Sequence, residues 1–424
     1  MSKRGVHLAI ACTCLMSIGL PPVRSLGQSS FEKPGGSPAG VEAVGVQHEL
    51  PLTTSTASPL PLPLPAPAAP AAAPDRSPTV AVLNLGRPRH QAEPGANARN
   101  ILGIHLKAAD LLDAARQLQD EHVDIVVLDV NLQGGYWAEA RLVQQVLLAE
   151  FLPHFRTIAW IDEAVGGAAL ALAVVPEIVF RPTGIFGPCP VSSAGTTINA
   201  PWITDSASAS AANDPIVEHM RRMCAVGGHD ALILRAMMLA EPMSAIPNPD
   251  GSIILTPAEQ PGKTINPAGR LLTLNAGTAQ RAGLSIGVAD DFDAVARLLH
   301  LHNARPHTSD AATDLLFAAA QARSDESRLR ELIDSIRTHL LLTDSAIEGW
   351  ERNFQADAAA GELDELEFLL SRNHLYRVYF AYDARVPEGV GGLNPVWFDT
   401  IRRGLDALRR KPLPLDEVAE TIEM

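Results

Sequence analysis

Two pairs of glycines carry the clearest chemical suggestion in this chain. Gly134 and Gly135 close the segment VVLDVNLQGG, and Gly166 and Gly167 open the alanine-rich run of IAWIDEAVGGAALALA. A glycine has no Cβ, so its N–H can approach a ligand oxygen closely. A helix N-terminus adds partial positive charge at such a turn. Together these features can bind a carbonyl oxygen or an oxyanion. Close packing of a helix on a strand produces the same pairs more often than catalysis does. The second turn supplies no serine, cysteine or histidine. Asp162 and Glu163 precede it and read as turn carboxylates or helix N-terminal charges. Asp129 and Asn131, at the end of an apolar run, read as residues that cap or solvate the loop. His300 and His302 stand two apart and cannot share a helical face, and His307 follows in a loop, so no metal site is expected. Asp290 and Asp291 read as a cap for the helix that follows. No cofactor is implied.

The elements that would position these residues alternate. TVAVLNL (79–85) and VDIVVLDV (123–130) read as buried strands, the second of the kind covered on both faces. Lys107 to Glu121 has helical spacing through Leu111, Leu112, Ala115 and Leu118, and Tyr136 to Leu152 is also helical. Further strands are expected at Thr157 to Ile161, Glu177 to Phe180 and Arg270 to Leu274, with a hairpin from Ser244 to Thr256 around Pro249, Asp250 and Gly251. Helices are expected at Asp214 to Val226, Asp230 to Ala240, Ala276 to Ala282 and Asp291 to Leu301. This alternation predicts a mostly parallel α/β core with right-handed crossovers. Both glycine pairs then fall at the carboxyl ends of strands, where ligand sites of such sheets gather. From Ser309 to about Tyr382 the pattern turns helical and charged, either an oligomerisation arm or a helical cap on the same domain.

The order of these segments resembles the Clp protease/crotonase superfamily, and within it the NfeD-like and signal-peptide-peptidase-A-like serine proteases. VVLDVNLQGG stands where that family has a strand leading to a Ser/Thr-Pro-Gly-Gly turn. IAWIDEAVGGAALALAVVPEIVFRPTGIFGPCPV stands where it has a strand, a Ser-Ala-Gly turn, an alanine-rich helix, a further strand and a Gly-Pro loop. GRLLTLNAGTAQRAGLSIGVADDFDAVARLL (269–299) is similar to its end-of-domain pattern. The likeness covers roughly residues 79–301 and implies a crotonase/Clp-type fold of stacked β-β-α units, here with a helical C-terminal region. It also implies a homo-oligomer, and an oxyanion site built on Gly134, Gly135, Gly166 and Gly167.

The departures from that pattern decide the chemistry. Val165 occupies the nucleophile position, and valine has no atom with which to begin acyl transfer. The lysine that serves as base in the NfeD-like group would fall near Ala209 to Ala212, yet the chain has no lysine between Lys107 and Lys263. No histidine lies between His154 and His219 to serve a Clp-type arrangement. Arg221 and Arg222 stay protonated and cannot act as bases. Ser192 and Ser193, in VSSAG, are an alternative nucleophile, but Ser193-Ala194-Gly195 follows the Gly-Pro signal and no alanine-rich helix follows it. Glu163 is the other alternative, as the acid or base of a crotonase-like acyl-thioester lyase. The expectation is a pseudopeptidase that binds a peptide or protein partner.

Composition narrows the partners. The formal charge of −14 leaves no basic surplus for phosphates, which argues against nucleic acid. Lys3 and Arg4 followed by an apolar run to Leu20 read as an export signal, residues 1–27, with cleavage near Ser25-Leu26-Gly27. That predicts a periplasmic or extracellular protein, or one tethered by an uncleaved N-terminus. Ala9-Ile10-Ala11-Cys12 makes a poor lipobox. Residues 28–78, rich in Pro and Ala, read as an unfolded spacer. The domains expected after it are 79–305, Clp/crotonase-like, and 306–424, mainly helical. Cys189 and Cys224 read as two small buried residues rather than a bridge.

Overall fold

The computed structural model describes residues 77–86, 100–189, 215–249, 252–301, 304–380, 393 and 395–411. All of them belong to one compact unit, Ala66–Met424. Among the described residues no helix is long and apolar enough to cross a membrane.

The core is a twisted, mainly parallel sheet. Its strands are β1 (Val80–Gly86), β2 (Ile125–Leu132), β3 (Arg156–Ala164) and β4 (Glu177–Phe186), paired in that order. The sequence IVVLDVNL shows why β2 is central: β-branched residues line it and both faces are covered. The helices that cross between these strands are α1 (Ala108–Asp120), α2 (Trp137–Val146) and α3 (Gly167–Leu172). In α1, Leu111, Ala114, Ala115 and Leu118 make one buried stripe, and Asp110 accepts from the Lys107 N–H to close the first turn. The helix expected to end at Leu152 stops as regular helix at Val146 and continues as a π-turn, Leu147–Phe151.

Beyond β4 come α4 (Pro215–Val226) and α5 (Ala231–Leu239). A small antiparallel sheet follows, made of β5 (Met243–Pro247), β6 (Ile253–Thr256) and β7 (Thr264–Asn266). The expected hairpin is therefore present as β5 and β6. The strand expected at Arg270 to Leu274 shrinks to β8 (Leu274–Asn275), which pairs antiparallel with the end of β4. The Leu272 N–H goes instead to the Ala236 carbonyl and the Arg270 carbonyl to the Asn266 amide, so that run is tied down piecemeal. After α6 (Ala276–Arg281), β9 (Gly287–Val288) pairs with β4, and α7 (Phe292–Leu298) begins at Asp291, whose carboxylate accepts from the Ala294 N–H. The last strand, β10 (Pro306–His307), pairs with β1.

Two apolar layers flank the sheet. Leu83, Leu128, Val130, Ile161 and Phe180 face α1, α2 and α3. Val80, Val127, Trp160 and Val179 face α7. The rest of the described chain is helical: α8 (Asp310–Ser345), α9 (Gly349–Arg372), α10 (Leu375–Phe380) and α11 (Pro395–Arg410). A third apolar cluster joins this region to the sheet edge. In it Leu329, Leu332, Tyr376 and Phe380 bury Ile101, Ile104 and Tyr136, which flank the first glycine pair. The mixed α/β class with a parallel sheet and a helical C-terminal region is thus the architecture of the chain.

Candidate functional site

The first glycine pair sits just past β2, and the segment after Asn100 holds it. Gln133 N–H donates to the Asn100 carbonyl at 2.8 Å, Leu102 N–H to the Gly134 carbonyl at 3.0 Å, and Tyr136 N–H to the Leu102 carbonyl at 3.3 Å. A single parallel bridge, Leu102 with Gly135, results. Gly134 and Gly135 are both buried. A Cβ on Gly135 would stand 2.5 Å from the Leu102 Cβ, so that position needs glycine for packing alone.

The second pair follows β3, which runs three residues further than expected, to Ala164. Asp162 and Glu163 therefore lie in the strand and not in the turn. Val165 begins the turn, is half-buried, and its N–H donates to the Leu132 carbonyl at 3.0 Å. Gly166 adopts φ 60° and ψ −127°, a conformation open to glycine and strained for any other residue. Its N–H donates to the Pro188 carbonyl at 2.9 Å, while the Gly187 N–H returns to the Ala164 carbonyl at 2.9 Å. That N–H is therefore spent inside the protein and cannot hold a ligand oxygen. Of the four glycines expected to supply donors, Gly166 is thus engaged within the protein. The helix α3 is also shorter than its alanine-rich sequence suggests, only six residues, which limits its field at the turn.

The two pairs touch. A Cβ on Gly167 would meet the Gly135 carbonyl carbon and oxygen at 2.7 Å and the Gly135 Cα at 3.0 Å. Backbone therefore lies directly on backbone, with Val165 two residues before the helix.

A polar shelf lies at the same strand ends, on the sheet face away from α2 and α3. Glu163 stands opposite Asn131 in register. Gln133 Nε2 donates to both, at 3.0 Å to Glu163 and 2.7 Å to Asn131. Gln133 Oε1 in turn accepts from the Asn100 N–H at 2.7 Å. Further down that face Asp129 lies inside β2 and not, as its sequence position suggests, at the strand's end. It accepts from Arg181 at 3.0 and 3.1 Å, and the Arg181 guanidinium lies 3.5 Å from the Trp160 ring centroid.

Neighbouring polar groups passed over in the sequence prove structural. His219 meets Gln144 Oε1 through Nε2 at 2.8 Å, while the Gln144 amide donates to the Leu170 carbonyl at 2.6 Å. The Gln144 oxygen accepts, so His219 carries its proton on Nε2. Burial first, then Arg141 and Arg222, hold the imidazole below its usual range. His105 is fully buried, and its Nδ1 accepts from the Ile101 N–H at 2.9 Å, which puts its proton on Nε2, 2.9 Å from Glu326. Arg330 and Tyr379 complete that carboxylate's bonds. Burial raises the Glu326 carboxyl, but these three donors outweigh it and hold it at about 2. This cluster pins the segment that supports Gly134 and Gly135 onto α8 and α10. A lone histidine in GIHLK gave no local hint of partners more than two hundred residues away.

Cys189 and Cys224 are free, buried thiols. Ser192, Ser193 and the Ala209 to Ala212 stretch lie outside the described residues, as does His302. Of the other two histidines of that group, His307 lies in β10 with Nε2 at 3.4 Å from Glu121, and His300 follows α7 in a left-handed conformation.

No protein family matches this chain, and no curated protein matches it. Solved structures similar to it include two mutants of the 1510-N membrane-bound stomatin-specific protease. One is a lysine-to-alanine mutant in complex with a substrate peptide, at 11% identity and a TM-score of 0.35, covering 52% of this chain and 80% of that one. The other is a serine-to-alanine mutant, at 11% identity and a TM-score of 0.33, covering 53% and 85%. An enoyl-CoA hydratase/isomerase from Pseudoalteromonas atlantica T6c is similar at 14% identity and a TM-score of 0.29, covering 72% and 89%.

Proposed function

We propose that this chain is an exported Clp/crotonase-type, NfeD-like serine protease homologue that has lost its peptidase chemistry and binds a peptide or protein partner at the Val165 turn. The observation that carries the reading is the identity and setting of Val165. It follows β3, two residues before Gly167, at the position that the resemblance gives to the attacking oxygen, and it offers only methyl groups. A second loss supports the first: the Gly166 N–H, a natural oxyanion donor, is committed to the Pro188 carbonyl. A turn that keeps its backbone packing but neither nucleophile nor full donor set is suited to holding a partner without cleaving it.

Fluorescein-labelled unfolded casein peptides provide the test. The full chain should bind them saturably and leave them intact through prolonged incubation. Gly167→Ala, which pries the turn open, should weaken that binding at least tenfold. Cleavage of the peptides, or binding indifferent to Gly167→Ala, would overturn the proposal.

A second reading assigns Glu163 as the acid or base of an acyl-thioester lyase. Its observation is the shelf at the strand ends, where Gln133 orients the Glu163 carboxylate. It requires binding of an acyl thioester that disappears in Glu163→Gln.

A further inference from the structure

The outer surface of α9 carries an exposed line of side chains with an internal symmetry. At about 100° per residue, Trp350, Phe354, Gly361 and Phe368 fall within about 20° of one line along the helix. All four are exposed, and the three aromatic residues are 70%, 63% and 66% exposed. Single exposed aromatics need no explanation, but an aligned set on one helix does. Gly361 stands at the middle of α9, and nothing lies within 4 Å of where its Cβ would be. Phe354 and Phe368 sit seven residues to either side of it. Trp350 sits eleven residues before it and Arg372 eleven after. Arg372 is 44% exposed while it pairs with Asp325 at 3.0 Å.

We propose that α9 is a self-association surface, on which a second copy of this chain docks antiparallel about a two-fold axis at Gly361. A two-fold contact requires a patch that complements itself: residue i meets j, and j meets i. This line meets that requirement. Phe354 of each copy falls against Phe368 of the other, and Trp350 falls over the Arg372 guanidinium, a cation–π pair. The two bare Gly361 positions meet at the axis and let the backbones approach, as small residues do where helices cross closely.

Charge and area agree with a second copy as the occupant. The acids beside the line, Asp357, Asp364 and Glu365, are each paired with an arginine, Arg409 and Arg402 of α11 and Arg328 of α8, so the two copies do not meet as bare carboxylates. An aromatic side chain buries about 150–250 Å². With roughly two-thirds of each exposed, three per copy offer about 600–1,000 Å² across the pair, a large share of the ~1,200 Å² at which specific interfaces begin. This surface is separate from the Val165 turn and stands or falls without it.

Sedimentation velocity on the full chain tests the proposal. The expected result is a monomer–dimer equilibrium whose Kd rises at least tenfold in Phe354→Glu and in Phe368→Glu, with the melting temperature unchanged because both positions are exposed. A chain that stays monomeric up to the highest soluble concentration, or a dimer indifferent to both substitutions, would overturn it. The orientation is tested by disulfide trapping in a Cys12→Ser, Cys14→Ser background. A mixture of the Phe354→Cys and Phe368→Cys proteins should cross-link into a heterodimer, and Gly361→Cys should cross-link with itself. Self-linking of Phe354→Cys, as a parallel pair or a different face would give, contradicts the arrangement.

Discussion

Gly167→Ala probes the contact on which the site depends. Gly167 is not among the positive-φ glycines, so its backbone accepts alanine and the penalty is purely steric. The new Cβ would stand 2.7 Å from the Gly135 carbonyl carbon and oxygen. Ordinary carbon contacts lie at about 3.5–4.0 Å, so the two turns must part by roughly 0.8 Å or more. Neither side can yield by changing rotamer, because both are backbone. Overpacking of this kind costs about 1–3 kcal/mol. The better helix propensity of alanine offsets up to ~1 kcal/mol of that. The expected net loss is about 1–2 kcal/mol, a drop in Tm of roughly 2–6 °C. Gly404→Ala is the control: it lies inside α11 with nothing within 4 Å, and should gain about 0.5–1 kcal/mol. Urea unfolding and differential scanning calorimetry on both proteins provide the measurement. If Gly167→Ala is as stable as the parent, the two glycine turns are not packed on each other and the site is wrongly built.

Other expectations follow from the same structure. Glu326, held at about 2, contributes stability that is present above its unfolded value near pH 4.5 and is lost as pH falls through 2. Across that window the parent should lose roughly 3 kcal/mol that Glu326→Gln does not, so urea midpoints against pH should be flatter in the variant. Burial raises the thiols of Cys189 and Cys224, the latter to about 12. Iodoacetamide at pH 8 should therefore modify both only after unfolding in guanidinium, and prompt native labelling of either would refute their burial. Val165→Ser alone should give no peptidase turnover, since no lysine stands between Lys107 and Lys263 to take its proton. Hydrolysis of a casein substrate by that single variant would reveal a general base within reach of residue 165 and refute the expectation.

The parallel core was legible because its signals are local. VDIVVLDV is a continuous apolar run, and the helices between strands repeat at helical spacing. The two glycine pairs could be placed at one sheet edge for the same reason. What escaped depends on partners far along the chain. Nothing in DEAVGG shows that Pro188 will consume the Gly166 N–H, or that Asp129 will find Arg181. The extension of β4 through Arg181 to Phe186 was hidden by Pro182 and Gly184, which read as a strand end although β4 keeps pairing beyond them with β3 and β8. The bulge that carries Asp162 and Glu163 inside β3 arises from register with both β2 and β4, again a property of the sheet and not of the segment. The stripe on α9 was present in the sequence at heptad-like spacing. Only the structure shows that it points outward while Leu363, Leu366 and Leu370 point in.

The central claim is that no serine in this chain is an activated nucleophile. Incubating the full chain with a serine-reactive fluorophosphonate and mapping the products by mass spectrometry addresses it directly. No modified serine is expected under conditions that label a serine peptidase to completion. Stoichiometric modification of a single serine, Ser192 or Ser193 above all, would contradict it.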